Sequence, residues 1–185
     1  MHPLRFPRFR GTETFPGGAK GEEDITLQRF NIVTKEQVLS KLTALCAKGE
    51  HCIHDVRQKM VRWEIDELTQ ARVIAFLLDE RYIDEERYCR AFINDKIRYN
   101  RWGKKKVAQA LYMKGISSSV YQSMLDEMAE EGYEEILLPL LQSKLKTLQG
   151  KGLSDYELRG RLLRFALQRG FTYEQASACL EGLLG

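Results

Sequence analysis

The feature that most constrains the fold of this chain is a short interruption between two helices, which occurs three times in the sequence. The breaks lie at 63–65, 114–116 and 169–171 and read Trp-Glu-Ile, Lys-Gly-Ile and Arg-Gly-Phe. A glycine just after a helix can adopt the left-handed conformation that ends it. Each break precedes the third helix of a unit of roughly fifty residues, a period that is typical of helical repeat proteins. We therefore predict an all-α chain of three tandem three-helix repeats.

Helix-start signals support this division. Thr34, Ser154 and Thr172 are each followed three residues later by Glu or Gln, which is the spacing of a capping box. Asp66 and Asp84 are further N-cap candidates, because a short acceptor satisfies the free N–H groups of a first turn. The predicted helices cover 35–47, 51–63, 66–79, 84–100, 103–113, 117–131, 133–149, 154–168 and 172–184.

The predicted domain limits follow from these helices. Residues 1–33 are punctuated by Pro and Gly without a sustained period and are expected to form a flexible N-terminal arm. The repeats are predicted at 34–81, 82–131 and 132–185. Stacked repeats contact mainly their neighbours in sequence, which predicts an elongated body.

Charge is distributed unevenly along the chain. The formal net charge is only +3, but ten basic residues and four acids lie between Arg81 and Lys114. The following stretch, 115–135, holds six acids and neither Lys nor Arg. This asymmetry predicts one positive and one negative region, an arrangement that orients partners.

The positive charge is predicted to form one face of the helix at 84–100. At 100° per residue, Cys89, Phe92, Ile93 and Ile97 share one side, which is expected to be buried. The opposite side carries Arg87, Arg90, Asn94, Arg98 and Arg101.

More basic residues follow this helix directly. Trp102 precedes three lysines, 104–106, in the first turn of the next helix, where the helix dipole disfavours positive charge. A binding role explains this placement better than a merely solvated face does. The candidate anion-binding residues are Arg87, Arg90, Arg98, Arg101, Trp102, Lys104, Lys105, Lys106 and Lys114.

The residues give no support for catalysis or for a metal site. No nucleophile elbow, zinc-protease or P-loop motif occurs, so no catalytic residue and no cofactor is predicted. Cys46, His51, Cys52 and His54 lie close together but lack the spacing of a structural zinc site. Without a signal peptide or a long apolar run, we expect a cytoplasmic protein that does not enter membranes.

Three motifs follow one another between residues 82 and 116. Residues 82–92 read YIDEERYCRAF, residues 102–107 read WGKKKV, and residues 111–116 read LYMKGI. Together they resemble signature motifs of the RecX family, with Cys89 where that family usually has alanine and Lys104 in place of a common proline. Weaker similarity, including 167–171, extends the resemblance over roughly 35–184.

The resemblance implies both a fold and a function. RecX proteins are curved bodies of three three-helix repeats, and they are cytoplasmic regulators of recombinational repair without enzyme activity or cofactor. They bind in the groove of RecA–DNA filaments, restrain filament growth and lower RecA's ATPase, strand-exchange and coprotease activities. The expected partner is thus the RecA filament, with single- or double-stranded DNA as a further candidate, and the chain is expected to be a monomer. The candidate anion-binding residues would then contact RecA or DNA.

The alternative from another class is a helical DNA-binding protein that acts without RecA. The helices at 103–113 and 117–131 could imitate a helix-turn-helix pair. The second of them is acidic, which disfavours insertion into a major groove. Direct DNA binding of this kind would depend steeply on salt concentration.

Overall fold

Nine α-helices occur in the predicted order within residues 34–130 and 132–185, the part of the chain that the structure, a computed structural model, describes. No strand occurs in these two ranges. The helices are α1 (Lys35–Cys46), α2 (Ile53–Arg62), α3 (Glu67–Asp79), α4 (Glu85–Arg98), α5 (Lys104–Met113), α6 (Ser118–Glu130), α7 (Tyr133–Leu148), α8 (Asp155–Gln168) and α9 (Tyr173–Leu184). The predicted all-α repeat fold is confirmed. The arm predicted at 1–33 lies outside the described residues.

Four of the predicted helix starts are formed by side-chain caps. Ser154 and Thr172 each accept a hydrogen bond from the backbone N–H three residues on, and the side chain there accepts one from the cap's own N–H, so both capping boxes are confirmed. Asp66 and Asp84 accept hydrogen bonds of 2.9 Å from the backbone N–H groups of Thr69 and Arg87. These caps satisfy donors that a first helical turn leaves free.

The three recurring breaks share one geometry. Their central residues, Glu64, Gly115 and Gly170, all lie in the left-handed region, with φ of 56°, 72° and 91°. The residue after each donates its backbone N–H to the carbonyl five residues earlier, at 3.1, 3.3 and 3.2 Å. This is the hydrogen bond that closes a Schellman motif. It turns Ile116 and Phe171 into the cores of their repeats, where both are 2% exposed.

Packing is organised within the repeats. In each, the third helix packs against the first two: α3 on α1 and α2, α6 on α4 and α5, and α9 on α7 and α8. The predicted buried side of α4 is confirmed for Cys89, Ile93 and Ile97, while Phe92 is only partly buried against the same core. Cys52 at the start of α2 is also part of this second-repeat core, so the first repeat contributes to it.

The second and third repeats meet backbone against backbone. Gly103 donates its N–H to the carbonyl of Arg169 at 2.8 Å, and Lys105 donates its N–H to the carbonyl of Gly170 at 3.0 Å. Free donors at the start of α5 thus pair with free acceptors at the end of α8. A Cβ on Gly103 would collide with the backbone of Gly170, so only glycine fits there. We call this contact the glycine joint.

The shared left-handed geometry gives a prediction about Glu64 and Gly115. Glu64→Gly should stabilise the protein by roughly 0.5–1 kcal/mol, because a side chain at positive φ is strained. Gly115→Ala should destabilise it by about 1 kcal/mol. A Cβ at Gly115 has nothing within 4 Å, so any loss reflects backbone conformation alone. Urea unfolding followed by circular dichroism measures both, and a destabilising Glu64→Gly would contradict the strain assigned to this position.

The glycine joint gives a second prediction. Gly103→Ala should lower the free energy of unfolding by about 2 kcal/mol or more, because its Cβ meets backbone that cannot rotate away. Gly160→Ala in α8 is the matched control: its Cβ meets nothing within 4 Å, and it should be neutral or mildly stabilising. Thermal unfolding compares the two. Equal stability of both variants would show that the repeats do not depend on this close approach.

Candidate functional site

The exposed side of α4 lines a groove. Two adjoining hollows of about 490 and about 600 Å³ run along it and share Asn94 and Glu127. The first is lined by Glu50, Arg87, Arg90, Ala91, Asn94 and Glu127. The second is lined by Asn94, Ile97, Arg98, Arg101, Glu127, Gly132, Glu135, Ile136 and Pro139. We call the two together the α4 groove. Its walls come from α4, from the last turns of α6 and from the start of α7.

Two of its arginines are available to a partner. Arg98 and Arg101 are exposed and form no ion pair with any residue in the described ranges. Arg90 lies 3.7 Å from Glu86, but both side chains are more than 60% exposed. An ion pair so open to water contributes little, so Arg90 too is free to exchange partners. Three of the predicted site residues thus present usable guanidinium groups on one surface.

The groove also carries acidic side chains, which the sequence pattern had assigned to a separate negative region. Glu127 lines both hollows and Glu135 lines the larger one. The expected separation of a positive from a negative region therefore does not hold here. The reason is that α6 packs along α4 and brings its last turns beside the arginines. The groove is mixed in charge, with Ile97, Ile136 and Pro139 as apolar parts of its lining.

The lysines after α4 differ in their surroundings. Lys104 forms an ion pair with Asp126, and its hydrogen bond holds the pKa of that carboxyl below the ordinary range. The ammonium of Lys106 lies 4.6 Å from the ring centroid of Trp102, which is partly buried against the second-repeat core. Lys105 is exposed. Of these residues, Lys105 is the most accessible to a partner, and Trp102 is held in cation–π contact.

Two predicted site residues link the first and second repeats. Arg87 donates from Nε to Oε1 of Glu50 at 2.7 Å. Lys114 donates from Nζ to Oδ1 of Asp55 at 2.5 Å, and both of these side chains are 24% exposed. Burial raises the pKa of Asp55, but the hydrogen bond and charge of Lys114 outweigh it and hold the pKa below its ordinary value. Arg87 and Lys114 therefore stabilise the repeat junction, whatever else they contact.

Within the described ranges, the metal-ligating side chains do not cluster and the buried thiols are not activated. No group of three or more His, Cys, Asp or Glu side chains there is placed to hold a metal ion. Cys52 and Cys89 are fully buried, and burial raises the pKa of both thiols, to about 11 for Cys89. Such thiols are unreactive, because the thiolate is the nucleophile. None of the described helices combines the length and apolar character needed to cross a bilayer.

Comparison with protein families matches both repeats that form the α4 groove. Residues 84–125 match a model described as "RecX, second three-helix domain", and residues 131–180 match "RecX, third three-helix domain". The chain belongs to the RecX family. The matched ranges contain every residue of the α4 groove except Glu50 and Glu127.

Relatives and solved structures agree with this membership. "Regulatory protein RecX" of Clostridium botulinum is 25% identical over 161 residues, which are 85% of this chain and 75% of that protein. The protein of the same name from Finegoldia magna is 31% identical over 104 residues, 56% of this chain and 51% of that one. The "Crystal structure of RecX from Lactobacillus salivarius" has the same fold, with a TM-score of 0.68 at 17% identity over 80% of this chain and 96% of that one. A second solved structure, "Crystal structure of regulatory protein RecX", superposes with a TM-score of 0.72 at 15% identity over 90% of this chain and 82% of that one.

Sequence analysis missed the acids of the site. Glu50, Glu127 and Glu135 reach the α4 groove from three different helices or loops. A helical wheel shows which face of one helix is charged, but it does not show which neighbouring element that face meets. In this sequence, the useful signal would have been the acids at the end of the third helix of the second repeat, since that helix packs on the first.

The Asp55–Lys114 pair gives a prediction about pH. Because the pKa of Asp55 is depressed in the folded state, the pair stabilises fully above the ordinary Asp pKa and this contribution is lost as the pH falls below it. Lys114→Met should therefore destabilise the protein by about 1–2 kcal/mol at pH 7, and less at pH 3.5. Urea unfolding at both pH values measures this.

A matched control tests the assignment to this pair. Lys151 is exposed and forms no ion pair with any described residue, so Lys151→Met should change stability little at either pH. If Lys114→Met costs the same at pH 3.5 as at pH 7, the loss comes from packing of the lysine stem and the ion pair is not its source.

Proposed function

We propose that this RecX-family protein regulates RecA by binding in the groove of RecA–DNA filaments. Binding restrains filament growth and lowers the ATPase, strand-exchange and coprotease activities of RecA, in the cytoplasm and without catalysis by the chain itself. Family membership and the name "Regulatory protein RecX" of its relatives support a regulatory role. Arg98 and Arg101, unpaired on the α4 groove, support the choice of this face for the contact.

The chemistry of the α4 groove fits a protein partner. A guanidinium binds a carboxylate through two parallel hydrogen bonds, and Arg98 and Arg101 are both open to such pairing. The apolar side chains of Ile97, Ile136 and Pro139 lie beside them. An interface that combines arginine with apolar contacts excludes water around the charges, which strengthens the ion pairs.

The same chemistry disfavours DNA phosphate at this groove. Glu127 and Glu135 stand beside the arginines and would repel a phosphate backbone. The alternative of a helix-turn-helix reader at α5 and α6 is disfavoured as well, because Lys104 of α5 is neutralised by Asp126 of α6. The contact proposed for the α4 groove is therefore to acidic RecA surface.

Inhibition follows from mass action. A molecule that binds one filament state better than another shifts the equilibrium toward that state. For inhibition, the chain needs only to bind more tightly to RecA arrangements that do not add further subunits and do not hydrolyse ATP. We expect inhibition at substoichiometric ratios, because one bound molecule alters the growth of a whole filament.

Charge reversal at the groove tests the proposal. Arg98→Glu/Arg101→Glu should raise the concentration needed for half-inhibition of single-strand-dependent RecA ATPase by about tenfold or more, since both attractive contacts become repulsive. Arg57→Glu/Arg72→Glu is the matched control: both arginines are exposed, lie outside the groove and give the same change in net charge. Helicity of all variants is checked by circular dichroism.

Two outcomes would contradict the proposal. If the unmodified chain leaves RecA ATPase unchanged, the RecA-regulating function itself is wrong. If the groove variant and the control inhibit equally well, the contact does not lie at Arg98 and Arg101.

A further inference from the structure

A second charged hollow, separate from the α4 groove, lies along α2. It has a volume of about 370 Å³ and is lined by His51, His54, Asp55, Gln58, Lys59, Arg62 and Lys114. Six of these residues lie in or just before α2 at spacings of three and four, which places them on one helical face. Lys114 reaches the hollow from the end of α5. We call this surface the α2 hollow.

The α2 hollow carries net positive charge. Lys59, Arg62 and Lys114 are fixed cations, and Asp55 is the one carboxylate that lines it. Asp55 is already engaged by Lys114 at 2.5 Å. Lys59 and Arg62 form no ion pair with any residue that the structure describes. Two cations are therefore left without a counter-charge.

The other lining groups are hydrogen-bond donors. His54 offers a ring N–H and Gln58 an amide NH₂, while His51 offers a ring N–H with its Nδ1 lying 3.9 Å from Oδ2 of Asp55. No apolar side chain lines the hollow. Protein interfaces depend on buried aromatic and aliphatic anchors, which this surface lacks. Cations and neutral donors without an apolar contact are instead the chemistry that binds phosphate oxygens.

The length of the surface fits more than one phosphate. From Ile53 to Arg62 the helix rises by roughly 14 Å at 1.5 Å per residue. A single inorganic ion would occupy only a fraction of that length. A linear polymer with regularly spaced phosphates could contact both ends, with Lys59 and Arg62 at one and the histidines at the other.

We propose that the α2 hollow binds the phosphodiester backbone of a nucleic acid strand, with Lys59 and Arg62 as the principal phosphate contacts. Binding is expected to be independent of base sequence, because phosphate contacts carry no sequence information. It is also independent of the RecA-directed role, since the strand is bound by the protein alone.

The test is oligonucleotide binding without RecA. Fluorescence anisotropy of a labelled oligo(dT) strand is measured against the full chain over a range of salt concentrations. For Lys59→Glu/Arg62→Glu we expect a Kd at least tenfold weaker and a log K–log salt slope smaller by about 1.4, from about 0.7 per single-strand phosphate contact. Arg57→Glu/Arg72→Glu, whose Arg57 lies on the same helix outside the hollow, should keep the slope of the unmodified chain.

Two further measurements are needed. The first distinguishes the effect of lost charge from the effect of poor folding, and the second distinguishes binding of phosphate from binding of carboxylate. Lys59→Gln/Arg62→Gln removes the charges without adding acids, and it should lower the slope even if the charge-reversed variant folds poorly. Labelled poly-glutamate tests for a general preference for acidic polymers, including acidic protein segments. We expect it to bind far more weakly than oligo(dT), because it offers no phosphate oxygens.

Four results would overturn the proposal. The first is no oligo(dT) binding by the unmodified chain at low salt, and the second is an unchanged slope in both Lys59/Arg62 variants. The third is an equal loss in the Arg57/Arg72 control, which would indicate net charge alone. The fourth is binding of poly-glutamate as tight as that of oligo(dT), which would assign the α2 hollow to an acidic protein partner. None of these results bears on RecA inhibition, so failure here and failure of the RecA-regulating function are distinguishable.

Discussion

The glycine joint is the contact on which the α4 groove depends. Arg98 and Arg101 at the end of α4 and Ile136 and Pro139 of α7 belong to different repeats, yet they line one hollow. Their relative position is fixed where the start of α5 meets the end of α8, and that contact is made by backbone hydrogen bonds. Backbone groups have no rotamers, so the two walls are held without the side-chain entropy that surface ion pairs lose on ordering.

The first repeat is attached to the second by side-chain contacts, whereas the second and third repeats are joined by backbone hydrogen bonds. Its links to the second repeat are the buried thiol of Cys52, the ion pair of Glu50 with Arg87, and that of Asp55 with Lys114. The ion pair of Asp55 with Lys114 weakens when this carboxylate is protonated, while backbone hydrogen bonds do not titrate. The junction of the first and second repeats should therefore respond to acid before the junction of the second and third does. The α2 hollow shares Asp55 and Lys114 with the acid-sensitive junction.

The sequence predicts what is local and leaves open what depends on packing. Caps at Ser154 and Thr172 were predictable because both partners lie within four residues, and the three breaks were predictable because a Schellman motif is a local turn. Glu64 is the break residue that is not glycine, so its position was predicted from the repeat period alone. Its φ of 56° agrees with that prediction, because it lies in the same left-handed region as the two glycines. The acids of the α4 groove were not predictable, because Glu127 and Arg98 line one hollow only through the packing of α6 on α4.

The two charged surfaces also explain why net charge says little about this chain. A net charge of +3 does not indicate any specific partner, yet the chain carries two charged surfaces of different composition. The α4 groove combines arginines with acids and apolar side chains, which is the chemistry on which the proposed contact with a protein partner rests. The α2 hollow has two uncompensated cations and only polar lining, which favours phosphate. The two proposed contacts do not require each other, but a nucleoprotein filament offers both kinds of partner, and two weak contacts made by one chain would bind more tightly together than either does alone.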